Sequence, residues 1–325
     1  MQVFNDLESL ANAHSLCVAT IGKYDGMHLG HQHILKRLKT VADAMDLPTL
    51  VILSEPQPEE FFAGAKAPAR LLSFTDKISF LESQDIDLVY KMTFDQHLSE
   101  LSAATFVEEV LARGLGVKAL IVGDDFRFGK GRGGDFYLLE EMGKQLGFSV
   151  EAAEVCLVDD ERVSSTLVRQ KLESGDCEGA NELLGRPYQL KGEVIKGQQL
   201  GRELGYPTAN IDIGMQKLAI EGVFAVTAEL DQHSIQGVAS VGYKPSIEGS
   251  HELTVEVFLF DFNDDIYGET LGINFLTKIR SQEKFPQLSD LQTAIESDIQ
   301  KVKYYFQELQ LQTDQGGSEY IGQPG

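Results

Sequence analysis

The stretch Thr20–Leu38, TIGKYDGMHLGHQHILKRL, places His28, His31 and His33 within six positions, on a glycine-rich turn that follows an apolar run. His28 and His31 are three apart, so they share one face of a helix that begins there. A helix start presents unpaired N–H groups and the positive end of the dipole. The glycines around it, Gly22, Gly26 and Gly30, let a phosphate approach the backbone. Two imidazoles at such a seat can donate hydrogen bonds to a phosphoryl group that gains charge in its transition state. Zinc is the weaker reading, because H-x-x-H needs further ligands and the local sequence offers no cysteine. His33 reads as an ordinary surface histidine.

Two more segments of the first half could meet a phosphate. VGDDFRFGKGRGGD, Val122–Asp135, carries Asp125, Arg127, Lys130 and Arg132 among five glycines. VSSTLVRQKL, Val163–Leu172, begins like a helix, with Ser164 and Ser165 as caps, Thr166 next and Arg169 one turn in. The bland alternatives are a solvated loop and a plain N-cap. In the second half, LGRELGYPTAN supplies Gly201 and Gly205 for a backbone that wraps phosphates. Glu256 lies in TVEVF, on one strand face with Phe258 and Phe260, opposite Val255, Val257 and Leu259.

The elements that must position these groups follow from periodicity. SLCVATIG reads as a buried strand and HQHILKRLKTVADAM as a helix with Ile34, Leu35, Leu38, Val41, Ala42 and Met45 at helical spacing. TLVIL, DLVYKMTF, VKALIVG and FSVEAAEVC read as further strands, and KISFLESQ, SAATFVEEVLARGL and FYLLEEMGKQLG as helices. Alternating strands and helices predict a Rossmann-like, doubly wound parallel sheet covered on both faces, with ligands at the carboxyl ends of its strands. After ANELLGRPYQLKG strands dominate: YQLKGEVIKG, GVFAVTAEL, SIQGVASVG, LTVEVFLFDF and TLGINFLTKIR. They predict a small antiparallel β-barrel, closed by one long helix. The expected organisation is a first domain over residues 1–184, a second over 185–310, and a polar, disordered tail over 311–325.

Composition bounds the partners. The chain has 325 residues with a formal net charge of -22, which disfavours a nucleic-acid partner. No apolar run approaches the ~20 residues of a membrane span, and the acidic, polar start is unlike a secretory signal. The three cysteines, Cys17, Cys156 and Cys177, are far apart, which argues against a disulfide framework or thiolate zinc site. A cytoplasmic protein acting on small molecules is expected. The oligomeric state is not legible.

In order along the chain, GKYDGMHLGH, EPQPEEFF, VGDDFRFGKGRGGD and SSTLVR resemble the adenylyltransferase half of the bacterial bifunctional riboflavin kinase/FAD synthetase family. GRPYQLKGEVIKGQQLGRELGYPTANI, GVFAV, SVGYKPSI and VEVFLFDFNDDIYGE are similar to its flavokinase module. The resemblance covers roughly residues 5 to 308. It implies two magnesium-dependent reactions. Riboflavin and ATP give FMN in the second half, and FMN and a second ATP give FAD and pyrophosphate in the first. It implies that His28 and His31 stabilise the reacting α-phosphorus. Asp25 would stand by the nucleotide and help fix the loop, Asp125 would touch nucleotide or flavin phosphate, and Ser164, Ser165, Thr166 and Arg169 would hold the leaving phosphates. It further implies that Gly197, Gly201 and Gly205 wrap ATP, that Thr208 and Asn210 hold magnesium, and that Glu256 accepts the ribityl proton.

The chain departs from the family pattern in places. Lys23 stands where asparagine is usual, and Ser54 and Gln57 replace an aromatic residue and a histidine. Lys244, Ser246 and Phe258 replace arginine, threonine and histidine. Two alternatives are therefore a working kinase with a weak or regulatory adenylyltransferase head, and a flavin- or nucleotide-binding protein without turnover.

Overall fold

Six apolar runs of the first half pair side by side in a computed structural model of the chain, which describes residues 1–197, 201, 205–215, 217–231, 233–245 and 251–316. They are β1 (Gln2–Phe4), β2 (Cys17–Gly22), β3 (Thr49–Glu55), β4 (Leu88–Thr93), β5 (Val117–Gly123) and β6 (Ser149–Ala153). Their spatial order is β1-β4-β3-β2-β5-β6, and every pairing is parallel. Period-two alternation splits β2 to β6 between two cores. Cys17, Ala19 and Ile21 of β2 pack with Phe106, Val107, Leu111 and Leu139, while Val18 packs with Leu35, Leu38, Ala42 and Leu81. Helices therefore cover both faces, as the alternating pattern predicts. The strand order reverses between β2 and β5, and a ligand crevice forms at the carboxyl ends of strands flanking such a switch. The sequence reading missed β1, which is three residues long and too short to show a period.

A two-stranded hairpin, β7 (Leu157–Val158) and β8 (Glu161–Arg162), leads into the helix Ser165–Ser174. Then come β9 (Tyr188–Ile195), β10 (Ala209–Asp212), β11 (Gly222–Leu230), β12 (His233–Pro245), β13 (His251–Leu259) and β14 (Thr270–Arg280). They form a closed barrel in the order β10-β13-β12-β11-β14-β9, with every pairing antiparallel. Five of these strands are legible in the sequence. The sixth, β10, is the ANID of the predicted phosphate loop, too short and too polar to read as a strand. The long helix Leu288–Gly316 lays Ile299, Val302 and Phe306 against Val223, Ala225, Val238 and Phe260 of the barrel.

Two expected boundaries differ. The helix Leu288–Gly316 enters the segment expected to be disordered. Gln310 and Leu311 are good helix formers, and extending an existing helix carries no nucleation cost. Residues 317–325 lie outside the described residues, as does Ser246. The compact units are Met1–Leu167 and Val168–Gly325, so the helix Cys177–Leu184 falls with the barrel rather than with the parallel sheet. It is tied there by Asn181, whose Nδ2 donates to the Phe275 carbonyl and whose Oδ1 accepts from the Tyr188 N–H.

Candidate active sites

In the first unit β2 ends at Gly22, and the chain turns through Lys23–Met27 into the helix Leu29–Met45. The turn is tight. Tyr24 and Met27 adopt left-handed φ values of 50° and 47°, uncommon for bulky residues, and Gly26 has φ 87°. It is also buried: Tyr24, Asp25, Met27 and His28 all have little exposure. Asp25 braces the turn from within. Its Oδ1 accepts from the backbone N–H groups of Leu71 and Leu72 at 3.0 and 3.3 Å, so it anchors the turn.

His28 caps the helix. Its Nδ1 accepts from the His31 backbone N–H at 3.3 Å, which leaves the proton of the neutral ring on Nε2. The His31 ring stacks on His28 with centroids 3.7 Å apart, and Tyr24 packs on His31 at 4.8 Å. His31 Nδ1 is shut away from solvent with no hydrogen-bond partner among the described residues. Burial, and after it the charges of His28, Lys77 and Lys23, hold the His31 imidazole well below the ordinary histidine range. Gly30 fits this packing closely, since a Cβ there would lie 3.2 Å from the His28 ring.

A second helix start meets the first. Ser164 caps Ser165–Ser174 by accepting from the Leu167 N–H, and Ser165 Oγ donates to the Asp25 carbonyl at 2.7 Å. Two positive dipole ends thus converge beside the stacked imidazoles, with Thr166 exposed at the second helix start. Arg169 lies one turn along that helix, half-buried.

The Val122–Asp135 loop leaves from β5, next to β2. Arg127 is exposed and donates to its own neighbour, the Phe126 carbonyl. Asp124 and Asp125 both pair with Arg162 of β8, at 2.6 and 3.3 Å. Lys23 pairs with Glu59 at 2.6 Å on the surface, which neutralises its charge beside the turn. Gln57 is buried. Its N–H donates to Glu60 at 2.8 Å, and its Nε2 has no partner among the described residues.

In the barrel, Asn210 of β10 lies directly opposite Glu256 of β13. Thr208 Oγ1 donates to Glu256 Oε2 at 3.4 Å. Val255, Val257 and Leu259 are buried on one face of β13, while Phe258 and Phe260 pack toward the long helix, so the predicted alternation is observed. The flanking glycines permit close approach. A Cβ at Gly197 would sit 2.3 Å from the Asn210 side chain, and one at Gly201 would sit 2.4 Å from the Tyr206 carbonyl. Gly205 has φ 87° and open space around it. Three side-chain oxygen groups, from Thr208, Asn210 and Glu256, converge here.

Comparison with known proteins decides the family. Residues 10–167 match the FAD synthetase family model, and residues 184–306 match the riboflavin kinase model. The bifunctional riboflavin kinase/FMN adenylyltransferase of Haemophilus influenzae is 43% identical over 307 residues, covering 94% of this chain and 99% of that protein. The enzyme of the same name from Escherichia coli K12 is 38% identical over 308 residues, covering 94% of this chain and 98% of its own length. The chain belongs to the bifunctional riboflavin kinase/FMN adenylyltransferase family. A Streptococcus pneumoniae crystal structure, named there as a macrolide-efflux protein, is 25% identical and superposes with a TM-score of 0.78 over 93% of this chain and 98% of its own. No helix among the described residues here is long and apolar enough to cross a membrane.

Against this family background, sequence reasoning passed over Lys77, Thr20 and Arg162. Lys77 had a signal. Phe74, Lys77, Ile78 and Leu81 fall at i, i+3, i+4 and i+7, which puts a lysine on the apolar face of its helix. Thr20, whose Oγ1 lies 2.6 Å from the Tyr24 hydroxyl, had none, because threonine is ordinary in a strand.

Proposed function

We propose that the barrel phosphorylates riboflavin to FMN and that the parallel-sheet unit adenylylates FMN to FAD. The reading rests on the stacked His28–His31 pair at the meeting of two helix starts. There an oxygen of the FMN phosphate bonds to the α-phosphorus of ATP. The bond from that phosphorus to the bridging oxygen breaks, and pyrophosphate leaves. His28 donates through Nε2–H, and the helix N–H groups meet the growing charge, so the contribution is electrostatic and no covalent intermediate is needed. Ser165 holds the turn with its hydroxyl, so it serves the leaving phosphates through its backbone N–H, beside Ser164, Thr166 and Arg169. Gly22, Gly26 and Gly30 give the phosphates access to the backbone. Arg127 offers its guanidinium to substrate phosphate at the rim, and Asp125, an acceptor paired with Arg162, meets the nucleotide through the donors of its sugar or base.

In the barrel, Glu256 accepts the proton of the ribityl 5′-hydroxyl as that oxygen bonds to the γ-phosphorus and ADP departs. Gly197, Gly201 and Gly205 let the backbone follow the ATP phosphates. Thr208 and Asn210 offer the oxygen ligands that magnesium prefers. No cluster of three or more His, Cys, Asp or Glu side chains suited to a metal occurs among the described residues. Magnesium held largely by substrate phosphates and one or two protein oxygens fits that donor set. When bound, magnesium neutralises phosphate charge. The kinase residues all lie within 185–310 and the adenylyltransferase residues within 1–184. Free cysteines and ATP as substrate fit a cytoplasmic location.

The test is a chromatographic time course with riboflavin, ATP and magnesium, repeated with FMN as the starting flavin. FMN that appears and then becomes FAD is the expected result. FMN that accumulates and is never adenylylated would remove His28 and His31 from catalysis and favour a regulatory head. No consumption of riboflavin at all would leave a binding protein.

A further inference from the structure

A cation lies beneath the turn that carries the histidines. Lys77, on the helix Phe74–Ser83, is 1% exposed, and its Nζ donates to the Lys23 backbone carbonyl at 2.9 Å. A buried ammonium is costly unless its surroundings compensate it. Asp25, Glu55 and Glu60 face it with opposite charge and Arg70 with like charge, while burial pulls its pKa down. Arg70 is itself held by both carboxylates, Glu55 and Glu60. Surface solubility does not account for a lysine placed here.

The carbonyl that Lys77 grips belongs to the residue before Tyr24, where the chain enters its left-handed conformation. Such a conformation in a bulky residue persists only where neighbours over-determine it. Tyr24 is held at its far end by the Thr20 hydroxyl, and its ring lies against His31. A continuous path of contacts thus runs from Lys77 through the Lys23 carbonyl and Tyr24 to the imidazole that stacks on His28.

We propose that Lys77 is a positioning residue for adenylyl transfer, which fixes the Lys23 carbonyl and the Tyr24 turn and so holds His31 against His28. The proposal rests on the reading of His28 and His31 as the adenylyl-transfer site. Lys77 also bears on His31 through space. With His28 and Lys23 it is one of three positive or titratable groups facing that ring, packed beside Tyr24, and its charge disfavours the imidazolium. Removing that charge raises the His31 pKa. A rate that needs neutral His31 would then fail at a higher pH than in the natural protein.

The experiment uses the full chain and three variants. K77M removes donor and charge, and K77Q keeps a donor for the Lys23 carbonyl without the charge. H31N tests the underlying reading. FMN adenylylation is followed as a function of pH, and the thermal unfolding of the parallel-sheet unit in the same preparation, followed by circular dichroism, reports that this unit is folded. K77M is expected to lower kcat for adenylyl transfer about 100-fold, with KM for FMN changed less than about threefold. Its acid limb should move to higher pH. K77Q is expected to recover kcat to within about tenfold of the natural protein while its acid limb stays displaced. Adenylyl transfer within about twofold of normal in K77M would overturn the proposal. So would a K77Q no faster than K77M or, if K77M does not fold, a K77Q more than about 100-fold below the natural protein, since it keeps the donor for the Lys23 carbonyl. Full adenylyl transfer by H31N would instead remove the reading of the site itself, whatever the Lys77 variants do.

Discussion

On the reading proposed above, the groups that meet phosphate in the parallel-sheet unit are backbone N–H groups and imidazoles at helix starts, and the charged residues behind them are buried and paired. In the barrel they are side-chain oxygens on neighbouring antiparallel strands, set by register, with Asn210 opposite Glu256. On that reading the first site works by fixed dipoles, where displacement is costly because the field was built in advance. The second works by a base and oxygen donors, where the identity of one carboxylate matters most. The two units therefore differ in what kind of substitution should damage each of them.

The largest expected effect is at Glu256. E256Q keeps the size and removes the base, and it should lower riboflavin phosphorylation about 10²–10⁴-fold. FMN adenylylation by the same protein should be unchanged. Equal loss in both reactions would break the comparison, because it would mean that one substitution reaches both sites. Next is His28. H28A removes the Nε2–H donor and the acceptor of the His31 N–H, and adenylylation should fall about 10²–10³-fold with the kinase intact. Flavin chromatography from separate riboflavin and FMN starts reads all four numbers.

A matched pair of glycine substitutions sharpens the contrast. In G30A the new Cβ meets the His28 ring at 3.2 Å, so the ring must give by a few tenths of an ångström. In G197A it would overlap the Asn210 side chain at 2.3 Å, so Asn210 must leave its place. G30A should reduce adenylylation about tenfold and G197A should reduce phosphorylation more, because small misplacements near a reacting centre cost rate steeply. Each should spare the other reaction. If G197A leaves the kinase rate untouched, Asn210 is not among its working residues.

How much of this was legible follows the same division. The parallel sheet was readable because its strands are buried on both faces and alternate with amphipathic helices, a pattern carried by local sequence. The barrel was readable except at β10, whose polar Asn210 and short length serve the site rather than the sheet. His28, His31 and Glu256 were found by residue type and motif. The turn beneath them was not, because Asp25, Lys77 and Thr20 act through contacts to Leu71, Leu72, the Lys23 carbonyl and Ile121, all distant in sequence. Asp25 marks the limit: its type and place suggest that it fixes the loop, but not that Leu71 and Leu72, far along the chain, donate the N–H groups it accepts.

The smallest expected effect is at Lys23, where the sequence departs from the family pattern beside the phosphate seat. An unpaired lysine there would bring a full charge to the site, and its removal would change ATP binding strongly. The structure gives a different expectation. Lys23 Nζ lies 2.6 Å from Glu59 Oε1, and both side chains are about two-fifths exposed, at 43% and 39%. An exposed pair of this kind contributes about 0–1 kcal/mol, less as salt screens it. Lys77 holds the Lys23 carbonyl, not its side chain, so the turn survives the change. K23A should therefore shift stability by less than about 1 kcal/mol in thermal denaturation and leave adenylylation within about threefold. E59A should do more, because it leaves the charge of Lys23 uncompensated beside the seat. A K23A effect larger than that of E59A would mean that the lysine charge itself reaches the nucleotide.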